Sequence, residues 1–482
     1  MRTYDIDNKN KESIYEYLYN CIKTDIIRGV LKSGEKLPSK RAFASNQGVS
    51  VVTVENTYGQ LLAEGYIYSV PKSGFFVSDI ENLLSETENK TSSDENNGNT
   101  ESYVYALSDK KPDDKENIIF NLSTNHTPSE NFPFSIWAKI MRRLLTEQDE
   151  ALMKSPSTGG VFELRKAIAK HLKEFRGISV NPSQIIIGAG TEYLYGLIVQ
   201  LLGRDKVYGL EDPCSNKIRN IYKALDVKTS MINLDEDGIL IDKCDSDVIQ
   251  ISPSHQFPLG VVTSISRRFN ILQWANTKEG RYIIEDDYDS EFRLQGRPIP
   301  SLFSIDNTGK VIYFNTFTKS LSSTIRISYM VLPEHLLKTF NERLGFYSCT
   351  VSNFEQYTLA SFISEGYFEK HINRMRNRYR ELRNNLIKCM YDSSLGNKIL
   401  ISEEDSGIHF LMKINTRYTD EQLKIKALDN GVLLSFVSDY LSDENIDKQL
   451  IDKYKNIAII NYTGLKSSDV KALSDTLNRA WR

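Results

Sequence analysis

Apolar positions in the first eighty residues recur at helical spacing. Ile14, Leu18, Ile22 and the pair Ile26/Ile27 fall three to four residues apart, so they share one helix face, and Gly29 can end that helix. The segment Leu37-Pro38-Ser39-Lys40-Arg41 begins a second short helix with Ser39 as its N-cap. Gly48-Val49-Ser50 is a tight turn. Ser50 can cap a third helix, which runs through Val54, Tyr58, Leu61 and Leu62 and stops at Gly65. Tyr66–Val70 and Phe75–Val77 read as strands flanking Pro71-Lys72-Ser73-Gly74. A helix, a helix-turn-helix and a hairpin predict a winged helix-turn-helix over residues 10–80.

The pattern then lapses. Residues 81–117 hold ten acids, four lysines and few apolar side chains, which predicts a solvated, flexible acidic linker. From Ile118 apolar strands alternate with amphipathic helices, as in an α/β domain with a largely parallel sheet. Strand candidates are Gln184–Ile187, Lys206–Leu210, Val248–Ile251, Tyr282–Ile284 and Val311–Asn315. The third unit therefore spans 118–482. Its last part, 333–482, alternates long helices (Tyr367–Leu386) with strands (His409–Lys413, Ile457–Asn461) and reads as a smaller α+β subdomain.

Composition changes this picture little. A chain of 482 residues is long enough for two or three domains, and 40% hydrophobic residues suffice for a large core. The net charge of −3 does not advertise nucleic acid, although a small DNA module can sit within a mildly acidic protein. The five cysteines are scattered with no C-x-x-C pair. That argues against zinc and against a disulfide framework, predicts no metal site, and fits a reducing cytoplasm. No apolar signal core opens the sequence, and no run approaches a membrane span.

In a helix-turn-helix the second helix enters the major groove with its first residues near base edges. Ser50, Thr53 and Asn56 are the polar groups there. Ser39, Lys40 and Arg41 begin another helix, where backbone amides and positive charge suit a phosphate. Lys72 and Ser73 at the wing tip suit a phosphate or the minor groove. Double-stranded DNA is the expected partner.

A second constellation lies in residues 188–326. Gly188-Ala189-Gly190-Thr191-Glu192 joins a strand to a helix, so its amides can cradle a phosphate. His255-Gln256-Phe257-Pro258 follows. Asp286 ends a strand, and Tyr288, two residues on, points to the same side. Thr316, Thr318 and Lys319 then precede Arg326. Pyridoxal 5′-phosphate (PLP) needs such a set. A lysine captures its aldehyde, here Lys319. A carboxylate keeps the pyridine nitrogen protonated, here Asp286. Tyr288 can reach the ring oxygen, and Thr316, Thr318 and Arg326 add to the phosphate contacts. His255 is expected to pack beside the ring. Each piece alone is weak; their order along the chain carries the reading.

Two stretches resemble known families. Gly29 to Arg41, Gly48 to Tyr66 and Lys72 to Val77 resemble the GntR-type winged helix, with Val51 where many relatives carry arginine. Gly160–Arg165, Ala167–Leu172, Ser252–Pro258 and Glu285–Phe292 resemble fold-type I aminotransferases, and the whole architecture resembles the MocR/GabR-type regulators. The resemblance implies a head-to-tail homodimer and an effector read by the PLP pocket: an amino acid, an amine or PLP itself. Departures cluster in the shell that would hold an amino acid. Ser215 stands where relatives place an aromatic residue over the ring. Lys217 is the nearby basic residue. Leu433, in Gly431-Val432-Leu433-Leu434, lies where a carboxylate-gripping arginine is expected. These residues together predict a PLP-dependent transcriptional regulator with little or no turnover. The alternative is an active aminotransferase carrying a DNA-binding domain.

Overall fold

The computed structural model describes residues 3–6, 13–79, 118–123, 127–147, 149–294, 300–403, 407–442 and 448–482. The expected linker, 81–117, lies outside them. The chain divides into two compact units, Met1–Asp109 and Lys110–Arg482.

The first unit holds helices α1 (Ile14–Ile27), α2 (Lys40–Gln47) and α3 (Val51–Ala63) and strands β1 (Ile67–Val70) and β2 (Gly74–Val77). Leu18, Ile22 and Ile26 of α1 meet Phe43, Val54, Tyr58, Leu61, Ile67 and Val77 in one core. Both expected caps form: Ser39 Oγ accepts from the Ala42 amide at 3.2 Å and Ser50 Oγ from the Thr53 amide at 3.0 Å. Each such cap is worth about 1 kcal/mol. The strands pair from Ile67↔Val77 to Val70↔Gly74. Pro71, Lys72 and Ser73 form the tip, where Lys72 adopts a left-handed φ of 61°.

The second unit is built on an eight-stranded sheet. Its strands are β4 (Ile185–Gly188), β5 (Val207–Asp212), β6 (Lys228–Asp235), β7 (Gly238–Ile239), β8 (Val248–Ile251), β9 (Tyr282–Asp286), β10 (Val311–Thr316) and β11 (Ser328–Val331), in the order β4-β11-β10-β9-β8-β5-β6-β7. Strands β6, β5, β8, β9 and β10 run parallel, while β11 is antiparallel to both neighbours. Every residue of β8 and β10 is buried, as continuous apolar strands covered on both faces must be. Helices α4 (Phe162–Arg176), α5 (Thr191–Leu202) and α6 (Asn216–Ala224) follow the first half of this unit.

A four-stranded antiparallel sheet lies nearer the C-terminus, in the order β12 (Ile399–Ser402), β13 (His409–Ile414), β16 (Ile457–Asn461), β15 (Ser435–Phe436). The remaining short pair joins β3 (Phe120–Asn121) in parallel to β14 (Val432–Leu433). Leu336, Phe340 and Leu344 share a core with Leu194, Tyr195 and Ile198 of α5, and Leu359 and Phe362 share one with Leu164 and Ile168 of α4.

Several arginines of the long helix α7 (Tyr367–Asp392) bind neighbouring loops. Arg374, Arg376 and Arg380 donate to the backbone carbonyls of Asn131, Glu291 and Leu294 at 3.0, 2.5 and 2.9 Å, and Arg383 is buried. They clip loops onto the helix.

Candidate functional site

The parallel strands β5, β8, β9 and β10 all end at one edge of the large sheet, where α/β folds place their ligands. A cavity of about 280 Å³ opens there. It is lined by Thr191 and Glu192 at the start of α5, Asp286 and Tyr288 after β9, and Thr316, Thr318, Lys319 and Arg326 after β10. Residues separated by more than one hundred positions therefore converge.

Asp286 is buried at the end of β9. Tyr195 of α5 donates its hydroxyl to Asp286 Oδ2 at 2.8 Å, while Oδ1 is buried with no hydrogen-bond partner. Burial pushes the Asp286 carboxyl up to about 6, so at neutral pH a buried, ionised group faces the cavity with one bare oxygen. Leaving such an atom unpaired costs about 1–3 kcal/mol or more. A protonated pyridine nitrogen is the donor that removes this cost.

Lys319 is partly buried at the cavity wall. Burial pushes its ammonium down to about 8, against the opposing fields of Asp289 and Asp286. A substantial share is thus neutral and nucleophilic near physiological pH. The loop that carries it is shaped by its own hydroxyls. Thr316 Oγ1 accepts from the Thr318 amide at 3.1 Å and from Ser328 at 2.8 Å, and Thr318 donates to the Ile325 carbonyl at 3.2 Å. These threonines hold the lysine's turn first.

The anion-binding end is set by glycine. Gly190 has φ 92°, and a Cβ there would fall 2.4 Å from Arg326 Nη2, so only glycine lets the guanidinium approach the first turn of α5. Arg326 Nη2 lies 2.5 Å from Glu192 Oε2, and Lys217 pairs with the other oxygen. Burial alone raises the Glu192 carboxyl, but Lys217, its own backbone amide and Arg326 together hold it below the usual range.

His255 and Gln256 stand one layer behind the cavity. His255 Nδ1 is 2.7 Å from Asp289 Oδ2 and 3.2 Å from the Tyr288 hydroxyl, and its ring packs against Tyr288 and His409. Gln256 donates to the Pro213 carbonyl at 2.8 Å and accepts from the Leu259 amide at 3.0 Å. It ties two loops together, because its amide is consumed by backbone. Ser215 and Lys217 line the cavity, but Leu433 does not; it lies in β14 against Asn121. On this side the wall is instead Ile408, His409 and Asn461. Burial pushes His409 down to about 3, so it is neutral.

Sequence reasoning missed Tyr195, Glu211, His409 and Asn461. Tyr195 had a signal, since it follows Thr191 by one helical turn and shares its face. Glu211 ends β5, accepts from the Ser252 amide at 3.2 Å and is pushed up to about 8 by burial, so it lines the cavity mostly as a neutral acid. Cys214 also lines it; burial raises its thiol to about 12, which keeps it protonated.

The donor set fits PLP. Lys319 would hold the aldehyde carbon, Asp286 the ring nitrogen, Tyr288 the ring oxygen, and Arg326 with the first amides of α5 the phosphate. When bound, PLP supplies an electron-withdrawing ring and a carbonyl that amines can attack.

In the first unit, Arg41, Asn56, Lys72 and Ser73 are exposed. Lys40 reaches across to Glu55 of α3 at 2.5 Å, and Ser50 Oγ lies 2.8 Å from Thr53 Oγ1. Val51 and Val52 leave 44% and 63% of their surface open at the start of α3, where arginine would offer charge. Among the described residues, no three metal-ligating side chains gather, and no helix is long and apolar enough to cross a membrane.

Comparison with known proteins agrees with both halves. Residues 14–77 match the family of bacterial regulatory proteins, gntR family, and residues 117–445 match aminotransferase class I and II. The chain is 36% identical over 490 residues to the uncharacterized HTH-type transcriptional regulator YdeL of Bacillus subtilis (strain 168), covering 100% of this chain and 98% of that protein. It is 30% identical over 446 residues to the probable rhizopine catabolism regulatory protein MocR of Rhizobium meliloti, covering 90% and 88%. The fold is similar to that of a kynurenine aminotransferase from Pyrococcus horikoshii, with a TM-score of 0.66 and 21% identity over 76% of this chain and 91% of that one. With a gntR-type reader ahead of a class I and II aminotransferase domain equipped for PLP, and relatives matched nearly end to end, this chain belongs to the MocR-type transcriptional regulators.

Proposed function

We propose that occupancy of this cavity by PLP is the signal that sets the DNA affinity of the winged helix. The observation that carries this reading is the unequal lining of the cavity. Its sheet side holds a lysine, a buried carboxylate and an arginine suited to PLP, while Ile408, His409 and Asn461 present no cation opposite. An α-carboxylate gains most from a bidentate arginine, and no neutral side chain replaces that fork. PLP itself is therefore a better signal than an amino acid, and a simple amine ranks between them.

In this reading Lys319, Asp286, Tyr288, Arg326, Thr316, Thr318, Gly190, Thr191 and Glu192 form the cofactor site, supported from behind by His255 and Gln256. Ser215 and Lys217 border the effector space. On the first unit, Arg41, Lys40 and Lys72 contact phosphates with Ser39 and Ser73, and Ser50, Thr53 and Asn56 approach bases. The exposed Val51 and Val52 suit a thymine methyl. The protein acts as a homodimer, so that two winged helices read repeated half-sites. Met153 and Phe346, each 76% exposed, are apolar surface that a second copy would cover.

The test is a titration of operator DNA with full-length protein, with and without PLP, then with a panel of amines and amino acids. PLP should shift operator affinity at least several-fold, and the operator should shift PLP affinity by the same factor. A ligand that binds both states equally shifts nothing. Operator affinity indifferent to PLP, together with sustained turnover of amino donors, would favour the aminotransferase reading instead. Arg41→Ala should weaken all DNA sequences alike and lower the salt slope by about one.

A further inference from the structure

The anion-binding end of the cavity contains its own anion. The Glu192 carboxylate lies within 2.5 Å of Arg326 Nη2, is paired to Lys217, and bonds to its own backbone amide in the first turn of α5. Those are the donors a phosphate would use: a guanidinium and helix N-terminal amides beside a glycine whose missing Cβ admits them. Arg326 cannot give its full charge-assisted bonding to Glu192 and to a phosphate dianion at once, and two anions side by side repel.

We propose that Glu192 is the specificity-determining residue of this subsite: its carboxylate occupies the phosphate donors and admits only a phosphate that the rest of the cavity also holds. The inference rests on the PLP reading of the cavity. Because Glu192 is attached to the chain, it competes as an intramolecular ligand at high effective concentration. Free phosphate or sulfate must displace it with nothing further to gain. PLP brings its ring to Lys319 and Asp286 at the same time, so its phosphate arrives equally tethered. On binding, the Arg326–Glu192 contact breaks and the carboxylate swings out with Lys217, whose side chain is 65% exposed and free to follow. The site thereby ignores the abundant small anions of a cell while still responding to PLP. No bond is made or broken covalently in this exchange.

The experiment uses the full chain with Glu192→Gln and Glu192→Asp. Glutamine removes the charge, and aspartate is one methylene too short to reach Arg326 from the same backbone. Three probes are titrated: PLP by absorbance, pyridoxal lacking the phosphate, and inorganic phosphate by its effect on thermal unfolding and as a competitor of PLP. Both variants should bind PLP about 3- to 10-fold more tightly, and inorganic phosphate should act at concentrations lower by roughly tenfold or more. Pyridoxal affinity should stay within about twofold of wild type. Unchanged or weaker PLP binding would overturn the proposal, since Glu192 would then be holding Arg326 in position. Equal tightening of pyridoxal would overturn it too, because the effect would not lie at the anion end. If wild-type protein binds no PLP, the cofactor reading fails. The phosphate arm alone then decides the role of Glu192: a gain of phosphate response in both variants supports it, and no gain rejects it.

Discussion

The two sides of the cavity are made differently. The sheet side is assembled from strand ends and one helix start, and its polar groups are held in place by their neighbours: Asp286 with Tyr195, Lys319 on a turn of threonines, Arg326 beside Gly190. The C-terminal side is assembled from the small sheet and offers Ile408, Asn461 and a histidine kept neutral by burial. One side holds groups that fit a cofactor. The residues named on the other carry no positive charge. On the reading proposed above, cofactor binding and substrate binding are separable properties of one cavity.

Lys319→Ala attacks the sheet side at its covalent centre and should have the largest effect. Borohydride treatment of PLP-loaded protein should leave a pyridoxyl group on Lys319 in wild type and on no residue in the variant, as read by peptide mass mapping. A label on a different lysine would break the comparison.

Asp286→Asn keeps the volume and removes the charge. A hydrogen bond to a charged group contributes about 1.5–3 kcal/mol, so PLP affinity should fall roughly 10- to 100-fold. An absorbance titration measures it. An unchanged constant would mean that the bare Oδ1 faces something other than the ring nitrogen.

Proton release sharpens the same contrast. With the lysine pushed down to about 8, the rate of PLP capture should rise about tenfold per pH unit below that value and level off above it in stopped-flow traces. The sign for stability follows from the same group. Between about 8 and the ordinary 10.5 the unfolded chain binds this proton more tightly, so the cofactor-free protein should gain stability as pH rises through that window. Lys319→Ala should flatten both profiles.

The smallest expected effect comes from the border between the two sides. Ser215→Tyr would place a ring beside the cofactor, and an aromatic contact contributes about 0.5–1.5 kcal/mol, so PLP should bind about 2- to 10-fold more tightly. No change would mean that Ser215 borders the cavity without facing the ring.

Much of this was legible before any coordinates. The caps at Ser39 and Ser50 and the turn at Lys72 follow from local chemistry, and local chemistry is what a sequence displays most directly. Strand β8 was bounded to the residue, because an apolar run between turns admits little else. Strands β6 and β11 were not seen: Lys228–Asp235 mixes polar with apolar residues, and Ser328–Val331 is four residues long. Lys319, Asp286, Tyr288, Arg326 and the start of α5 could be grouped because their order along the chain is distinctive. His409 and Asn461 could not, because their contribution depends on how a second sheet is laid across the first. The same gap explains Leu433. Its place relative to the cavity is decided by pairing with Asn121, some three hundred residues away, and no local pattern announces such a partner. His255 lies behind the cavity for a related reason, since Asp289 captures its Nδ1.

That pairing of β3 with β14 has a mechanical consequence. Chain leaving the 81–117 segment is fastened at Phe120 and Asn121 onto Val432 and Leu433, in the same stretch of sequence that supplies β15, and not onto the eight-stranded sheet. Phe120 and Asn121 therefore travel with Val432 and Leu433. The start of the second unit is thus stitched to a stretch near its end, so a fluctuation that frees one strand frees the other.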